Sequence, residues 1–205
     1  MPQPKLEFWY EFASTYSYLS AMRIEALAAN MGVEVAWRPF LLGPIFYSQG
    51  LETSPFVINQ AKGRFMRRDL ERLAAERGLA FTMPAEFPAN GLLAARVGLL
   101  AADEGWVEPY SRAVFLAEFG DGADISDPQV LAGILGRIGR DNPENELERA
   151  GEAANKERLR RQTGEAEARG VFGAPTFITQ TGELFWGDDR LEQALAWAGG
   201  AHEGD

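Results

Sequence analysis

The sequence predicts an α/β protein, a βαβ half and a ββα half of one sheet split by a large all-helical insertion. Three observations predict it. Near the N-terminus an aromatic, apolar stretch, a helix-like segment and a second alternating stretch follow one another within about 35 residues, the length of a βαβ unit. The middle of the chain carries helical spacing and helix-start signals with few interruptions. The last quarter returns to two short β-prone runs around a turn, followed by a final helix.

Leu6 to Phe12 reads LEFWYEF and predicts the first strand. Ala13 to Thr15 turns into a helix of about sixteen residues. Within it Ile24, Leu27, Ala28 and Met31, three and four apart, mark a buried face. Gly32 is its expected C-terminal cap. Val33, Val35 and Trp37 alternate with Glu34, Ala36 and Arg38, giving a second strand parallel to the first because a helical crossover joins them. Phe40 to Gln60 reads as loop, with Gly43, Pro44, Gly50 and Pro55. Met66, Leu70, Leu73 and Arg77 mark a helix ended by Gly78. Further helices are expected at about Leu92 to Glu104, Pro109 to Phe119, Pro128 to Ile138 and Glu144 to Arg169. Asp127-Pro128 is a helix start, and Asp141-Asn142-Pro143 is a break. Thr176 to Thr179 and Glu183 to Trp186 flank a turn at Thr181-Gly182, a hairpin signature. Leu191, Leu195 and Ala198 suggest the last helix. A βαβ half and a ββα half make a thioredoxin-like sheet. The expected division is residues 1–60 and 166–205 as the two halves of that domain, with 61–165 as the inserted helices.

Composition removes several function classes. A net charge of −10 disfavours a nucleic acid or an anionic membrane as partner, because phosphate binding needs a positive surface. The run Lys62, Arg64, Arg67, Arg68, Arg72 and Arg77 is interleaved with Asp69, Glu71 and Glu76, the pattern of a solvated helix face. With no cysteine in the chain there is no disulfide, thiolate metal site or cysteine nucleophile. The only histidine is His202, in a Gly/Glu-rich tail expected to fray, which argues against a Ser-His-Asp triad and a multi-histidine metal site. No signal peptide is recognisable and no apolar run reaches the ~20 residues of a membrane span, so the expected location is cytoplasmic.

A thioredoxin-type redox site would carry its reactive cysteine after the first strand and a facing proline before a late strand. This chain has Ser14 and Pro175 there. Its chemistry therefore uses a thiol brought from outside, or none. Two readings fit Ser14. It caps the helix, or, at that same positive helix start, its hydroxyl hydrogen-bonds a bound thiolate. Pro175, in Gly170-Val171-Phe172-Gly173-Ala174-Pro175-Thr176, is either an ordinary loop proline or a cis-proline that exposes the backbone of Ala174 beside Ser14. In Trp186-Gly187-Asp188-Asp189-Arg190, Asp188 or Asp189 caps the last helix, grips a zwitterion such as a γ-glutamyl group, or does both. Lys62 by itself is a surface lysine, and Asn90 a helix cap. Phe40, Phe46, Tyr47, Phe56 and Phe65 either wall an aromatic-binding cavity or belong to the core.

The segments EFASTYSYLS, FLLGPIF, AKGRFMRRDLER, FPAN, VFGAPTF and WGDDRL, in this order, resemble the 2-hydroxychromene-2-carboxylate isomerase family, related to kappa-class glutathione transferases. The resemblance spans about residues 6 to 197. It implies a glutathione-binding, homodimeric enzyme with a helical domain inserted in a thioredoxin-like one. It also implies that Ser14 contacts the glutathione sulfur and that Ala174 and Pro175 form the backbone-pairing turn. Gly187, Asp188 and Asp189 would hold the γ-glutamyl end, and Lys62 and Asn90 would line the cofactor and substrate cleft. Phe46, from the aromatic residues read above, is expected with Asn90 on the substrate side. Two positions depart from the pattern. Thr15 replaces a common proline, and Gly91, Leu92 and Leu93 follow Asn90 where close relatives carry basic residues. The expected activity is a glutathione-dependent isomerisation of an unsaturated aromatic acid, with no metal. The alternatives are a kappa-like transferase and a cysteine-free thioredoxin-like protein that binds peptides through Pro175.

Overall fold

The computed structural model describes residues 3–200, so His202 lies outside the described residues. Its four-stranded sheet has the order β2-β1-β3-β4, formed by β1 (Lys5–Tyr10), β2 (Glu34–Pro39), β3 (Thr176–Thr179) and β4 (Leu184–Trp186). β1 runs parallel to β2, with Phe8 opposite Trp37, and antiparallel to β3, with Phe8 opposite Phe177. β3 and β4 form the hairpin read from Thr181-Gly182, and Gly182 supplies the positive φ of +88° that its turn requires. The thioredoxin-like arrangement expected from the sequence is the one observed.

Alternation along β1 divides its side chains between the two faces of the sheet. Leu6, Phe8 and Tyr10 are fully buried in the larger core. There Phe8 stacks on Phe177 at 5.5 Å between ring centres and meets Trp37 edge-on at 5.0 Å. Trp9 points to the opposite face and packs with Phe40, Ile45 and Ile178. Two-sided burial explains why this strand reads as a continuous aromatic run.

Between β1 and β2 lie α1 (Thr15–Ala21) and α2 (Ile24–Asn30), where a single helix was expected. The chain leaves helical geometry at Arg23, whose φ of −130° turns its guanidinium toward Asp188 and Glu192. Met31, expected on the buried face, ends α2 and is 42% exposed.

Between β2 and β3 the chain is almost wholly helical. It forms α3 (Leu42–Ser48), α4 (Pro55–Ile58), α5 (Gln60–Glu76), α6 (Leu92–Glu104), α7 (Val107–Phe115), a π-helical turn (Leu116–Gly120), α8 (Pro128–Arg137), α9 (Pro143–Ala150) and α10 (Ala153–Ala168). The segment expected to be loop thus holds α3 and α4. Pro55 is the first residue of α4, and Ser54 caps it by accepting the Phe56 N–H. Asp127 caps α8 as expected, accepting the Gln129 N–H at 2.8 Å. The long helix expected after Pro143 is interrupted at Gly151. After β4 come a 3₁₀ turn (Asp188–Arg190) and α11 (Leu191–Ala198).

The larger core runs without a break from the sheet into the helices. Phe12, just past β1, meets Tyr110 and Phe115 of α7 at 6.0 and 5.2 Å between ring centres. The Tyr10 hydroxyl lies 2.7 Å from the Ser111 hydroxyl. This packing sets the helices against the end of β1, where Ser14 begins α1.

One buried residue is unlike its surroundings. Glu118, in the π-helical turn, has no exposed surface, and neither carboxylate oxygen has a hydrogen-bond partner. Burial, and then the charges of Glu11 and Asp124, push its carboxyl well above the usual range. Such a group stabilises the fold fully only below its unfolded pKa and loses that contribution as pH rises toward the folded value. Stability is therefore expected to fall as pH rises above the ordinary carboxylate range, by up to about 1.4 kcal/mol per pH unit from this group. Glu118→Gln should flatten the slope in denaturant unfolding. An unchanged slope would show that Glu118 is not the source.

Candidate active site

The site forms where β1 ends. The Ser14 N–H donates to the Glu11 carbonyl at 3.0 Å, closing a tight turn that brings Ser14 in extended conformation to the start of α1. Its Oγ accepts the Ser17 N–H at 3.2 Å and donates to the Ala174 carbonyl at 3.0 Å. The Ala174–Pro175 peptide is cis. The Pro175 carbonyl accepts the Gly187 N–H at 3.0 Å, and Thr176 Oγ1 donates to the Gly173 carbonyl at 2.8 Å. The turn before β3 is thus fastened to the exits of both β1 and β4.

Around this junction lies a cleft of about 590 Å³. Glu11, Ala13 and Ser14 line it at the end of β1. Phe46 of α3, Phe56 of α4 and Lys62 of α5 line it too, as do Phe87, Phe172, Ala174 and Trp186. Phe172 and Trp186 pack ring to ring at 5.0 Å with a 55° tilt. Gly63 sets the approach of α5 to α4, because a Cβ there would run into the Phe56 carbonyl oxygen. A cleft lined by several aromatic rings, with polar groups among them and opening at the end of a central strand, is a form taken by small-molecule sites.

The residues singled out in the sequence separate into two groups. Ser14, Phe46, Lys62 and Ala174 line the cleft, and Pro175 shares the cis bond with Ala174. Asn90 is exposed beside the cleft and caps α6 through the Leu92 N–H at 3.1 Å. Gly187, Asp188 and Asp189 follow Trp186 just past the lining residues. Asp188 is 3% exposed. It accepts from Ser20 Oγ at 2.8 Å, Arg23 at 3.2 Å and Arg77 at 2.7 Å, so its carboxylate clamps α1 and α5 to the 3₁₀ turn. The Asp189 side chain is 75% exposed. Of the five aromatic residues proposed as a wall, Phe46 and Phe56 serve. Phe40 is core, whereas Tyr47 and Phe65 are 80% and 62% exposed.

Sequence reasoning missed Glu11, Tyr16, Phe87, Phe172 and Trp186, all of which line the cleft. Glu11 is partly exposed to the cleft. Burial pushes its carboxyl up to about 7, against the opposing pull of a hydrogen bond from the Leu42 N–H. Tyr16 donates to Asp69 at 2.9 Å, and burial together with that carboxylate raises its phenol pKa. Glu11 stands three residues before Ser14, a spacing that had a signal in EFAS but no partner in sequence to give it a role.

The DSBA-like thioredoxin domain matches residues 5–196. The chain belongs to the DSBA-like thioredoxin family. Within that family it is similar to the 2-hydroxychromene-2-carboxylate isomerase of Sphingobium xenophagum, 29% identical over 187 residues that cover 91% of this chain and 94% of that one. It is also similar to glutathione S-transferase kappa 1 of Caenorhabditis elegans, 23% identical over 204 residues covering 93% and 89%. A solved 2-hydroxychromene-2-carboxylate isomerase superposes with a TM-score of 0.86 at 25% identity, covering 97% and 96% of the two chains. These isomerase relatives support an enzyme with isomerase activity, and the resemblance read from the motifs holds over most of the chain. Among the described residues no helix is long and apolar enough to cross a membrane.

The two aspartates should behave differently. Asp188→Asn is expected to cost on the order of 2 kcal/mol in denaturant unfolding, below the roughly 3–5 typical of a fully buried pair because both guanidiniums keep some water. Asp189→Asn should stay within about 0.5 kcal/mol of wild type. Equal effects would mean that Asp188 is not the clamp.

Proposed function

We propose that this protein is a glutathione-dependent isomerase that acts on an unsaturated aromatic acid. The observation that carries the reading is the Ser14 hydroxyl. It bridges the start of α1 and the Ala174 carbonyl within a cleft lined by aromatic rings, in a chain that has no cysteine. The chain's own groups suit the tripeptide. A hydroxyl is present for the sulfur, a turn carbonyl for the cysteinyl amide, Lys62 for a carboxylate, and the exposed Asp189 for the γ-glutamyl ammonium. Asp188, already clamped, holds the segment that presents Asp189.

When bound, glutathione supplies a thiolate that adds reversibly to an unsaturated carbon and leaves unchanged. Ser14 does the positioning. Its proton is held by Ala174, and a ligand N–H that takes over the Ala174 carbonyl releases the Ser14 hydroxyl toward the sulfur. A hydrogen bond to the ionised form lowers a thiol pKa. Phe46, Phe56, Phe172 and Trp186 shape the space for a flat ring and exclude water. Asn90, at the cleft edge, is assigned to the substrate side. The reading also includes a cytoplasmic homodimer.

The kappa-class relative favours a second reading, a transferase that releases the conjugate. Product analysis separates them, since an isomerase regenerates glutathione and a transferase consumes it. Calorimetric titration with reduced glutathione tests both. Saturable binding is expected, about tenfold weaker in Asp189→Ala through loss of one charge-assisted hydrogen bond. The ultraviolet thiolate signal should be lost in Ser14→Ala. Absence of binding at millimolar glutathione would remove both readings and favour a peptide-binding protein.

A further inference from the structure

The carboxyl of Glu11 has no established task. It lines the cleft with Ser14, and its backbone carbonyl closes the turn that places Ser14. A hydrogen bond from the Leu42 N–H occupies one of its lone pairs and leaves others open toward the cleft. Among the described residues no lysine or arginine forms an ion pair with it. Lys62 and Glu52 line the same cleft, and the charges of Glu11 and Asp124 both act on Glu118. Glu118 is fully buried, has no partner for either oxygen, and feels the charge of Glu11 more strongly than that of Asp124. A π-helical turn, an irregularity frequent at functional sites, sets it there. A base that lacks a counter-cation and is backed by an unpartnered acid retains its affinity for a proton.

We propose that Glu11 is the acid–base residue of the cleft, taking the proton from a thiol held at Ser14 and delivering it to the substrate. This rests on the glutathione reading above. As a carboxylate, Glu11 accepts the proton of the S–H bond. The electron pair left on sulfur forms the C–S bond to the electron-poor carbon of a conjugated carbonyl compound, and the π electrons move onto the carbonyl oxygen. Glu11, now a carboxylic acid, gives its proton to that oxygen. After rotation about the former double bond the same transfers run in reverse and restore thiol and carboxylate. Nothing is oxidised or reduced, and the proton count is unchanged. Burial pushes the Glu11 carboxyl up to about 7, close to the value at which one group serves best as both base and acid. Burial also pushes the Glu118 carboxyl well above the usual range, and the charge of Glu11 adds to that shift.

The test uses the full chain with reduced glutathione and benzylideneacetone, an α,β-unsaturated methyl ketone with a phenyl ring on its β-carbon, in wild type, Glu11→Gln, Glu11→Asp and Ser14→Ala. Glu11→Gln should slow addition by about 100-fold. It should also move the midpoint of the bound-thiolate absorbance to lower pH, because the like charge beside the sulfur is gone. Glu11→Asp should recover part of the rate and return the midpoint toward that of wild type, which secures the test if Glu11→Gln folds poorly. Carboxyl carbon NMR of the ligand-free protein should show one glutamate titrating near neutrality that disappears in Glu11→Gln. If glutathione binds and depends on Ser14, but rate and thiolate midpoint are unmoved in Glu11→Gln, this inference fails and the glutathione reading stands. If wild type binds no glutathione, both fall.

Discussion

The pairing of β1 with both its neighbours is the constraint on which the rest of the molecule hangs. β1 is central, held by β2 on one side and β3 on the other, and its register with β3 places Trp9 opposite Thr176. Two residues upstream of Thr176 is Ala174, and five downstream of Trp9 is Ser14. The meeting of Ser14 with Ala174, 160 residues apart in sequence, is a consequence of strand register. A slip of one residue would invert every β1 side chain between the two cores and separate the hydroxyl from its carbonyl. The aromatic contacts of Phe8 with Trp37 and Phe177 oppose such a slip.

Charge is distributed to the same end. The 3₁₀ turn after β4 is held by Asp188, which gathers Ser20, Arg23 and Arg77 from three separate elements. That clamp also explains the break between α1 and α2, since Arg23 leaves helical geometry where it reaches Asp188. Around Glu11 the arrangement is reversed. Glu11 and Glu118 are left without cations in a chain that holds twenty lysines and arginines. Arginine fastens the frame, and among the described residues neither Glu11 nor Glu118 is given one.

Much of this was legible in the sequence because it is local. The four strands follow from alternation and aromatic content, the Thr181-Gly182 turn from turn chemistry, and α8 from Asp127-Pro128. Ser14, Lys62, Phe46 and Ala174 were legible through their motifs, and the structure brings them to one cleft. What stayed hidden is tertiary. The break at Arg23 has no glycine or proline to announce it, and its cause lies 165 residues away. In the segment read as loop, Pro44 and Pro55 belong to helix first turns, where a proline is tolerated because its missing N–H has no partner to lose. Glu11 looks like any polar residue following a strand. Its distinction is the company of Glu118, 107 positions on, and no spacing rule reports that.

The fit of Gly63 against the Phe56 carbonyl reaches further than packing. It lets α4 and α5 approach backbone to backbone, so the wall bearing Phe56 and Lys62 stands where main chain, not side chain, sets the limit. The width of the cleft there is therefore set at a position that does not line it. A methyl group there would act as a wedge between α4 and α5, reshaping the cleft while leaving every side chain that lines it unchanged.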